Sequence, residues 1–404
     1  SAASDVYKRQ LHLDNFDTQI VSQNLINGAD NFPLMAVPFF MLAGELMNAG
    51  GMSRRIVNSA LVWVGHFRGG LGYVAVFAAI IMASLSGSAV ADTAALAAVL
   101  MPMMRDAGYR MDRSAGLIAA GGIIAPVIPP SIGFILFGVI GGVSISKLFM
   151  AGIFPGILMG VALLITWWIV ARKDNVKVSP RVPLKEKMRV TIDAFWCYLL
   201  AFTIIGGMKM GIFTPTEAAV VAVVYALLVG LFVYREIKIK DLYGIVLAAA
   251  KTSSVVMFLV AAALVSAWLI TIANIPAQVV DMLRPFIDNP TLLMIMLMLV
   301  VLVVGTALDF APTVLILTPV LMPLVREAGI NPVYFGVLFI INNAIGLLTP
   351  PVGTVLNVVC GVGRIPMHEV IRGVMPFLIS QVVVMGLLIA FPILVMGPLK
   401  WLSS

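Results

Sequence analysis

The chain has 404 residues, of which 61% are hydrophobic and only 11% are charged, and its mean hydropathy is +1.06. A soluble domain needs far less apolar surface, so the composition indicates a polytopic membrane protein and excludes a soluble globular one. The formal net charge of +7 comes mostly from Lys and Arg between apolar segments, a pattern that sets membrane orientation and does not favour nucleic-acid binding.

Scarce cysteine and histidine residues exclude several kinds of site. Cys197 and Cys360 lie far apart, each within an apolar run, which rules out a disulfide framework and gives no metal-ligand spacing. The three histidines are scattered, and the sequence has no Walker, GxSxG or HExxH motif. We therefore expect no enzyme activity, no organic cofactor and no direct use of ATP.

Long apolar runs alternate with short polar segments. The opening segment 1–10 is polar, unlike the rest of the chain, and is interpreted as a non-native remnant. Runs long enough to cross a bilayer, or to enter it part way, occur at 33–49, 70–86, 89–104, 114–143, 148–171, 193–210, 214–233, 252–273, 290–308, 311–325, 333–360 and 374–397. The amphipathic segments 52–68 and 276–289 are expected to lie in the membrane interface.

Positive charge predicts the orientation of the chain. The segment 172–191 carries seven basic and two acidic residues, so it is expected on the cytoplasmic side. Counting helices outward from it places 50–70, 105–113 and 361–373 on the same side. Five of the 26 Lys and Arg then fall on the opposite side, namely Lys147, Lys209, Arg284, Arg326 and Lys400.

An internal repeat relates two parts of the chain. The sequence VLMP occurs at 99–102 and again at 320–323, which sets an offset of 221 in the numbering. Without a gap, the same offset matches Arg105 with Arg326, Gly108 with Gly329, Pro129 and Pro130 with Pro350 and Pro351, Gly142 with Gly363, Gly152 with Gly373, and Pro155 with Pro376. A shared apolar composition would rarely align four prolines and three glycines, so we interpret this as a duplication.

Each repeat contains a helical hairpin followed by a broken helix. The hairpin turns carry small and polar residues, SGSAVADT at 86–93 and GTALDFAPT at 305–313. The predicted orientation puts the ends of the 70–104 pair on the cytoplasmic side and those of the 290–325 pair outside. The sequence thus predicts an all-α polytopic membrane protein with inverted structural repeats, two re-entrant helical hairpins and two Pro-Pro-broken transmembrane helices, as in many secondary transporters.

The tips and breaks suggest an ion site. Unpaired backbone inside a bilayer is tolerated only where protein buries it or where it lines a wet cavity. Freed carbonyls and hydroxyls suit a hard cation such as sodium, and helix N-termini suit a carboxylate. The nearby hydroxyls are those of Ser86, Ser88, Ser131, Thr306, Thr349 and Thr354. The alternative is that the prolines only kink the helices and the hydroxyls bond their own backbone.

Several polar side chains in the apolar runs have two interpretations. Asp92 and Asp309 lie just beyond the hairpin tips, where each either caps the second arm or takes a direct part with a cation or proton. Asn342 and Asn343 precede the second break and either reach a substrate or tie helices together. Glu217 is expected to be structural, in the first turn of a helix.

Five stretches carry a family resemblance: FPLMAVPFFMLAGELMNAGGMSRRIV, SGSAVADTAAL, IPPSIGFILFGVIGGVSI, FTPTEAAVVAVVYAL and GLLTPPVGTVLNVV. They resemble the large membrane subunit of tripartite ATP-independent periplasmic (TRAP) transporters, from about residue 30 to residue 391. The resemblance implies a multi-pass subunit in the bacterial inner membrane that imports organic acids of the C4-dicarboxylate, sialic-acid or sugar-acid type, driven by sodium. Its implied partners are a small four-helix membrane subunit and a periplasmic substrate-binding protein.

The resemblance also implies an elevator-type architecture, in which a transport domain slides against a scaffold. The expected divisions are a scaffold helix and an interfacial helix over 11–70, the first repeat of the transport domain over 71–171, a cytoplasmic loop with scaffold helices over 172–275, and the second repeat over 276–404. The family's usual first membrane helix is missing, so we expect the chain to be truncated at its N-terminus.

Carried over residue by residue, the resemblance places cation ligands at Ser86, Gly87, Ser88, Pro129, Pro130 and Ser131, and a second set at Gly305, Thr306, Thr349, Pro350, Pro351 and Gly353. Substrate is expected between the sets, at Ser88, Asp92, Asp309, Asn343, Thr354 and Asn357. Family members often have hydroxyl residues before the first break, whereas this chain has Gly121 and Gly122, so backbone carbonyls are expected to serve there. The stretch TVLNVVCGVG is similar to members associated with sugar acids.

Two other functions remain compatible with the sequence. One is a stand-alone sodium-coupled transporter of anions or dicarboxylates with the same wider architecture. The other is a membrane scaffold that does not transport. Uptake measured with and without sodium and the binding protein distinguishes them.

Overall fold

A computed structural model gives the fold and describes residues 18–172, 181–274, 278, 279, 281, 286 and 289–403. The regular secondary structure in these residues is entirely helical, which confirms the predicted all-α class. The expected remnant at 1–10 and most of the connector expected at 276–289 lie outside the described residues.

Helices succeed one another closely along the chain. The first part contains α1 (Thr18–Ala29), a 3₁₀ turn (Phe32–Met35), α2 (Ala36–Ala49), α3 (Met52–Val64), α4 (Gly70–Ser86), α5 (Ala89–Asp106), α6 (Met111–Gly122), α7 (Ile132–Gly141) and α8 (Ile145–Ala171). The middle part contains α9 (Leu184–Asp193), α10 (Phe195–Lys209), α11 (Pro215–Leu228), a π-helical turn (Val229–Val233) and α12 (Ile239–Ile272). The last part contains α13 (Pro290–Ala307), α14 (Phe310–Glu327), α15 (Pro332–Gly346), α16 (Thr354–Gly363), α17 (Met367–Ala390) and α18 (Ile393–Ser403).

Many of these helices have membrane-spanning length. Within the described residues, seven are long and apolar enough to cross a bilayer, and the bent pair α9 and α10 adds an eighth if it forms one span. The apolar run at 114–143 is not one span but the two short helices α6 and α7, because the chain turns at the Pro129-Pro130 break. The interfacial helix expected at 52–68 corresponds to α3, whose Ile56 is buried and whose Arg54 is exposed.

The helix order recurs at the offset found in the sequence. Helix α5 spans 89–106 and α14 spans 310–327, so both of their ends differ by the offset of the VLMP repeat. The ends of α4 and α13, at 86 and 307, differ by the same amount. The short helices α7 and α16 are displaced by one further position. A hairpin, a short helix, a break, a second short helix and a long helix therefore occur in the same order in both parts.

The two repeats pack across each other. The second arm of the first hairpin, α5, contacts α16 of the second repeat, and α14 of the second hairpin contacts α7 of the first. Phe137 of α7 also packs against α15, with ring centroids 6.0 Å from Phe335 and 5.5 Å from Phe339. All three rings are buried. Dispersion in this close packing holds the repeats together, since apolar surface gains little by leaving lipid.

Helices outside the two repeats form their own contacts. Helix α2 packs against α11 and α12, and α1 packs against α12. The interfacial helix α3 is fixed by Arg55, which contacts Glu236 at 2.6 Å and Asp193 at 3.0 Å. Helix α2 also approaches the first hairpin tip, because a Cβ on Gly44 would lie 3.6 Å from the Cβ of Ser86.

Candidate functional site

The first hairpin tip is held against the first helix break. Helix α4 ends at Ser86, Gly87 turns the chain at φ 65°, and Ser88 caps α5 by accepting a hydrogen bond from the amide of Ala91. A Cβ on Gly87 would overlap the carbonyl oxygen of Pro130. This position therefore requires glycine both for its positive φ and for the close approach of the two turns.

The first break is buried, and the helix that follows it is capped. The Pro129-Pro130 peptide bond is cis. Ser131 donates a hydrogen bond to the carbonyl of Pro126 at 2.5 Å and accepts one from the amide of Phe134 at 3.1 Å, so it caps α7. Its hydroxyl has both a donor and an acceptor role within the break, which leaves one lone pair for another partner.

Asp92 lies one turn inside α5, in the wall of this site, and is 2% exposed. One carboxylate oxygen, Oδ1, accepts a hydrogen bond from the Ser86 hydroxyl at 2.5 Å. Within the described residues, nothing hydrogen-bonds the other oxygen, Oδ2. Since Ser88 already caps the helix, Asp92 does not have the capping role that its position in the sequence allowed.

Thr93, the next residue of α5, is also buried, although sequence reasoning did not select it. Its hydroxyl oxygen is buried and, among the described side chains and backbone, has no hydrogen-bond partner. A Cβ on Gly122 would overlap this hydroxyl. The hydroxyl of Thr93, from the hairpin, therefore occupies the space that a side chain at residue 122 would fill.

The second hairpin tip is exposed, whereas the first is buried. Asp309 is exposed and caps α14, its Oδ1 accepting a hydrogen bond from the amide of Phe310 at 2.9 Å. Thr306 donates to the carbonyl of Val303 at 2.8 Å. The two aspartates that come after the tips in the sequence thus have different roles, one buried and one capping.

Asn343 links the second tip to the second broken helix. Its Nδ2 donates to the carbonyl of Phe310 at 2.9 Å, and its Oδ1 is buried with no hydrogen-bond partner in the part of the chain described. A Cβ on Gly305 would lie 3.0 Å from that oxygen. Asn342 instead ties α15 to α13, because its Nδ2 donates to the carbonyl of Met298.

The second break is partly exposed and is capped differently. The Pro350-Pro351 bond is also cis, and Pro351 is exposed. Thr349 donates to the carbonyl of Ile345 at 3.0 Å. Asn357, expected at the substrate, donates to the carbonyl of Val352 at 2.9 Å and so closes the turn before α16. Thr354 has a buried hydroxyl for which the described residues supply no partner.

Two helix N-termini meet at the first tip, and the ring of the first residue of α14 packs next to one of them. Those of α5 and α7 adjoin where Gly87 faces Pro130, and a Cβ on Gly133 of α7 would lie 2.7 Å from the ring of Phe310, the first residue of α14. Each N-terminus carries a partial positive charge. The N-termini of α5 and α7 therefore adjoin each other, and Asp92 lies one turn inside α5 from that point.

Two arginines related by the repeat bind the far ends of the short helices. Arg105, at the end of α5, donates to the carbonyl of Gly363 at 2.7 Å, and Arg326, at the end of α14, donates to that of Gly141 at 2.7 Å. Each satisfies a free carbonyl at the C-terminus of a helix in the other repeat and complements its negative end.

We expect Arg105→Met and Arg326→Met each to lower the free energy of unfolding by about 1 kcal/mol, because each removes a charged hydrogen bond at a partly exposed helix end. Thermal unfolding in detergent measures this. Lys240→Met, which removes an exposed charge, serves as the control. Equal stability of all three variants would show that the carbonyl contacts contribute nothing.

Paired hairpin tips, paired helix breaks and a buried intramembrane carboxylate define a multi-pass membrane transport protein. The sequence profile of the tripartite ATP-independent periplasmic transporter, DctM component, matches residues 8–394, and the chain belongs to this family. The resemblance to the large TRAP subunit is thereby confirmed. The protein is a permease of the bacterial inner membrane and not an enzyme.

Similar proteins include permeases with different named substrates. A 2,3-diketo-L-gulonate TRAP transporter large permease protein of Escherichia coli is 56% identical over 391 residues, covering 97% of this chain and 92% of the relative. A sialic acid TRAP transporter large permease protein of Vibrio cholerae is 39% identical, covering 92% and 87%. A C4-dicarboxylate TRAP transporter large permease protein of Pseudomonas aeruginosa is 35% identical, covering 94% and 89%.

A solved structure shares the fold. The crystal structure of the YdaH transporter of Alcanivorax borkumensis, described as having an unusual topology, matches with a TM-score of 0.68 and covers 96% of this chain and 91% of its own. The sequence identity is 14%, so this likeness concerns the fold alone.

Proposed function

We propose that the chain is the permease subunit of a sodium-coupled symporter that imports organic acids with a small four-helix membrane subunit and a periplasmic binding protein. The observation that carries the proposal is the close contact between the N-termini of α5 and α7, with the buried carboxylate of Asp92 one turn inside α5. The helix ends favour an anionic substrate, and the carboxylate with its neighbouring hydroxyls favours a cation. One site thus attracts both members of a symport pair.

The oxygens around Asp92 are the ligand type that sodium requires. Asp92 Oδ2 and Thr93 Oγ1 are buried and have no hydrogen-bond partner among the described residues. Buried polar atoms of this kind cost free energy unless something satisfies them. Together with Ser86 and the carbonyl of Pro130, they form the first proposed cation site. The second is proposed at Gly305, Thr306, Thr349 and the Pro350-Pro351 break.

Substrate is proposed to lie between Ser88, Asn343 and Thr354, with a six-carbon sugar acid as the substrate class. The relative with 56% identity is named for 2,3-diketo-L-gulonate, whereas relatives named for sialic acid and C4-dicarboxylates are 39% and 35% identical. The buried Oδ1 of Asn343 can accept a hydrogen bond from a sugar hydroxyl, and the buried hydroxyl of Thr354 can donate or accept one.

An elevator movement of the two repeats is part of the proposal. The crossed contacts of Arg105 with Gly363 and Arg326 with Gly141 join the repeats as one body. The first tip is covered by α2 at Gly44, while the second tip is exposed at Asp309. Small residues at the contact between α2 and the first tip permit the two to slide past each other. Such sliding would expose the first tip and bury the second.

Uptake into proteoliposomes tests the proposal. The permease, its small subunit and the binding protein are reconstituted, and uptake of labelled 2,3-diketogulonate is compared with that of sialic acid and succinate. We expect a sodium gradient to drive uptake of the sugar acid, and replacement of sodium by choline to abolish it. Uptake unaffected by choline would contradict sodium coupling, and full uptake without the binding protein would favour a stand-alone transporter.

A further inference from the structure

We propose that an acidic glycerophospholipid binds in a groove between the end of α3, the start of α4 and the end of α8. The groove has a volume of about 670 Å³. Its rim carries two arginines, Arg68 and Arg172, and its walls are apolar and aromatic. None of the described side chains that line it is acidic.

The side chains form two stripes that run into the membrane. Leu164, Trp168 and Arg172 recur at every fourth position and so share one face of α8, and Tyr73 and Phe77 share one face of α4. The α8 stripe covers a little over two helical turns, or about 12 Å along the helix axis. An acyl chain fits beside such a stripe, with its phosphate at the arginine end.

Arg172 is positioned to present its charge at the rim. Its Cζ atom lies 3.7 Å from the centroid of the Trp168 ring, a cation–π contact. Trp168 is 49% exposed and faces the groove. Tryptophan with arginine at the end of a membrane helix is typical of the headgroup level of the bilayer.

The neighbouring tryptophan fixes the back of the groove. Trp167 is 1% exposed, and its Nε1 donates to the carbonyl of Gly69 at 2.8 Å. A Cβ on Gly72 would overlap its ring. Trp167 therefore locks α8 to the start of α4, so that the groove is a fixed surface of the fold.

The shape and charge of the groove select a lipid over a free anion. A phosphate group alone would contact the guanidinium groups but would leave the aromatic walls unused. Basic pockets between membrane helices on the cytoplasmic side are typical sites for acidic lipid headgroups, and the predicted orientation puts this rim there. The bound lipid would bridge α3 to α4 and α8.

Lipid retention by the purified permease with its small subunit tests the proposal. The complex is equilibrated in vesicles of phosphatidylcholine and phosphatidylglycerol, extracted, and weighed by native mass spectrometry. We expect a bound lipid with at least a tenfold preference for phosphatidylglycerol, since the two arginines attract an anionic headgroup. The double variant Arg68→Gln and Arg172→Gln should lose that preference.

Two matched variants separate charge from shape. Lys185→Gln with Arg189→Gln removes two exposed charges from α9 and should leave the preference unchanged. Leu164→Trp fills the groove without altering charge and should reduce bound lipid of either kind. Each variant must elute as a folded complex on size exclusion. If the arginine variant does not fold, the loss of bound lipid in Leu164→Trp still tests the groove.

Three outcomes would overturn the proposal. The first is that the arginine variant keeps the tenfold preference. The second is that inorganic phosphate displaces the lipid or stabilises the complex as strongly as phosphatidylglycerol does. The third is that a photocrosslinker at Phe77 reaches a helix of the small subunit and no lipid, which would identify the groove as a subunit interface.

Discussion

Alanine at Gly87 is expected to reduce the proposed sodium-driven uptake tenfold or more. The residue has φ 65°, and a Cβ there would overlap the carbonyl oxygen of Pro130. The alanine variant must therefore push the hairpin tip away from the first break, which separates Ser86 and Asp92 from the carbonyls opposite them. Site geometry displaced by about 1 Å commonly lowers rates by a hundredfold in enzymes, and a binding site for a bare cation is similarly demanding.

Gly108→Ala is the matched control for this prediction. Gly108 has φ 79°, but a Cβ there would have no atom within 4 Å. Both variants incur the strain of a left-handed alanine, roughly 1–2 kcal/mol, and only Gly87→Ala adds the steric contact. Initial uptake rates at several sodium concentrations, normalised to folded protein in the vesicles, separate the two effects. Equal uptake by both variants would show that the contact between tip and break does not matter for transport.

The positions of the helix ends are where the sequence pattern and the structure agree best. The ungapped offset that relates the two VLMP stretches fixes the positions of the turns, and α5 and α14 obey it at both ends. Turns and breaks depend on local chemistry, since proline removes a backbone donor and glycine allows positive φ, so they can be read from the sequence. The Pro-Pro breaks and the hairpin tips are therefore placed correctly.

The unequal burial of the two tips could not be predicted in this way. Ser86 and Gly87 at the first tip are buried, whereas Ala307 and Leu308, which match them at the offset of 221, are exposed. The difference arises from α2, which covers the first tip at Gly44. Such a contact joins segments that are distant in the sequence, and no local pattern encodes it.

The direction in which a side chain points also depends on contacts between distant segments, so the sequence alone does not predict it. The pair Gly121 and Gly122 suggested that only backbone carbonyls were available before the first break, whereas the hydroxyl of Thr93 occupies the space next to Gly122. Arg105 and Arg326 were recognised as repeat partners, but their acceptors lie in the opposite repeat. The complementary residue is visible only once the helices are packed.

Asp92→Asn is expected to raise the sodium concentration for half-maximal uptake at least tenfold. Asparagine has nearly the same shape and still offers Oδ1 to the Ser86 hydroxyl, which donates to Asp92 at 2.5 Å. The variant therefore removes the negative charge and leaves the packing intact. A buried carboxylate without a cationic partner destabilises a fold, so thermal stability without sodium should be unchanged or higher, while the stabilisation produced by added sodium should shrink.

Asp309→Asn is the control for losing a carboxylate near a tip, because Asp309 is exposed and accepts a hydrogen bond from the amide of Phe310 as a helix cap. Asparagine caps helices as well as aspartate does, so uptake and its sodium dependence should stay within about twofold of the original chain. Sodium titrations of uptake and of thermal unfolding, performed on both variants, give the comparison. A normal sodium dependence in Asp92→Asn would remove this carboxylate from the proposed cation site, and a tenfold defect in Asp309→Asn would show that the exposed tip binds the cation with its charge.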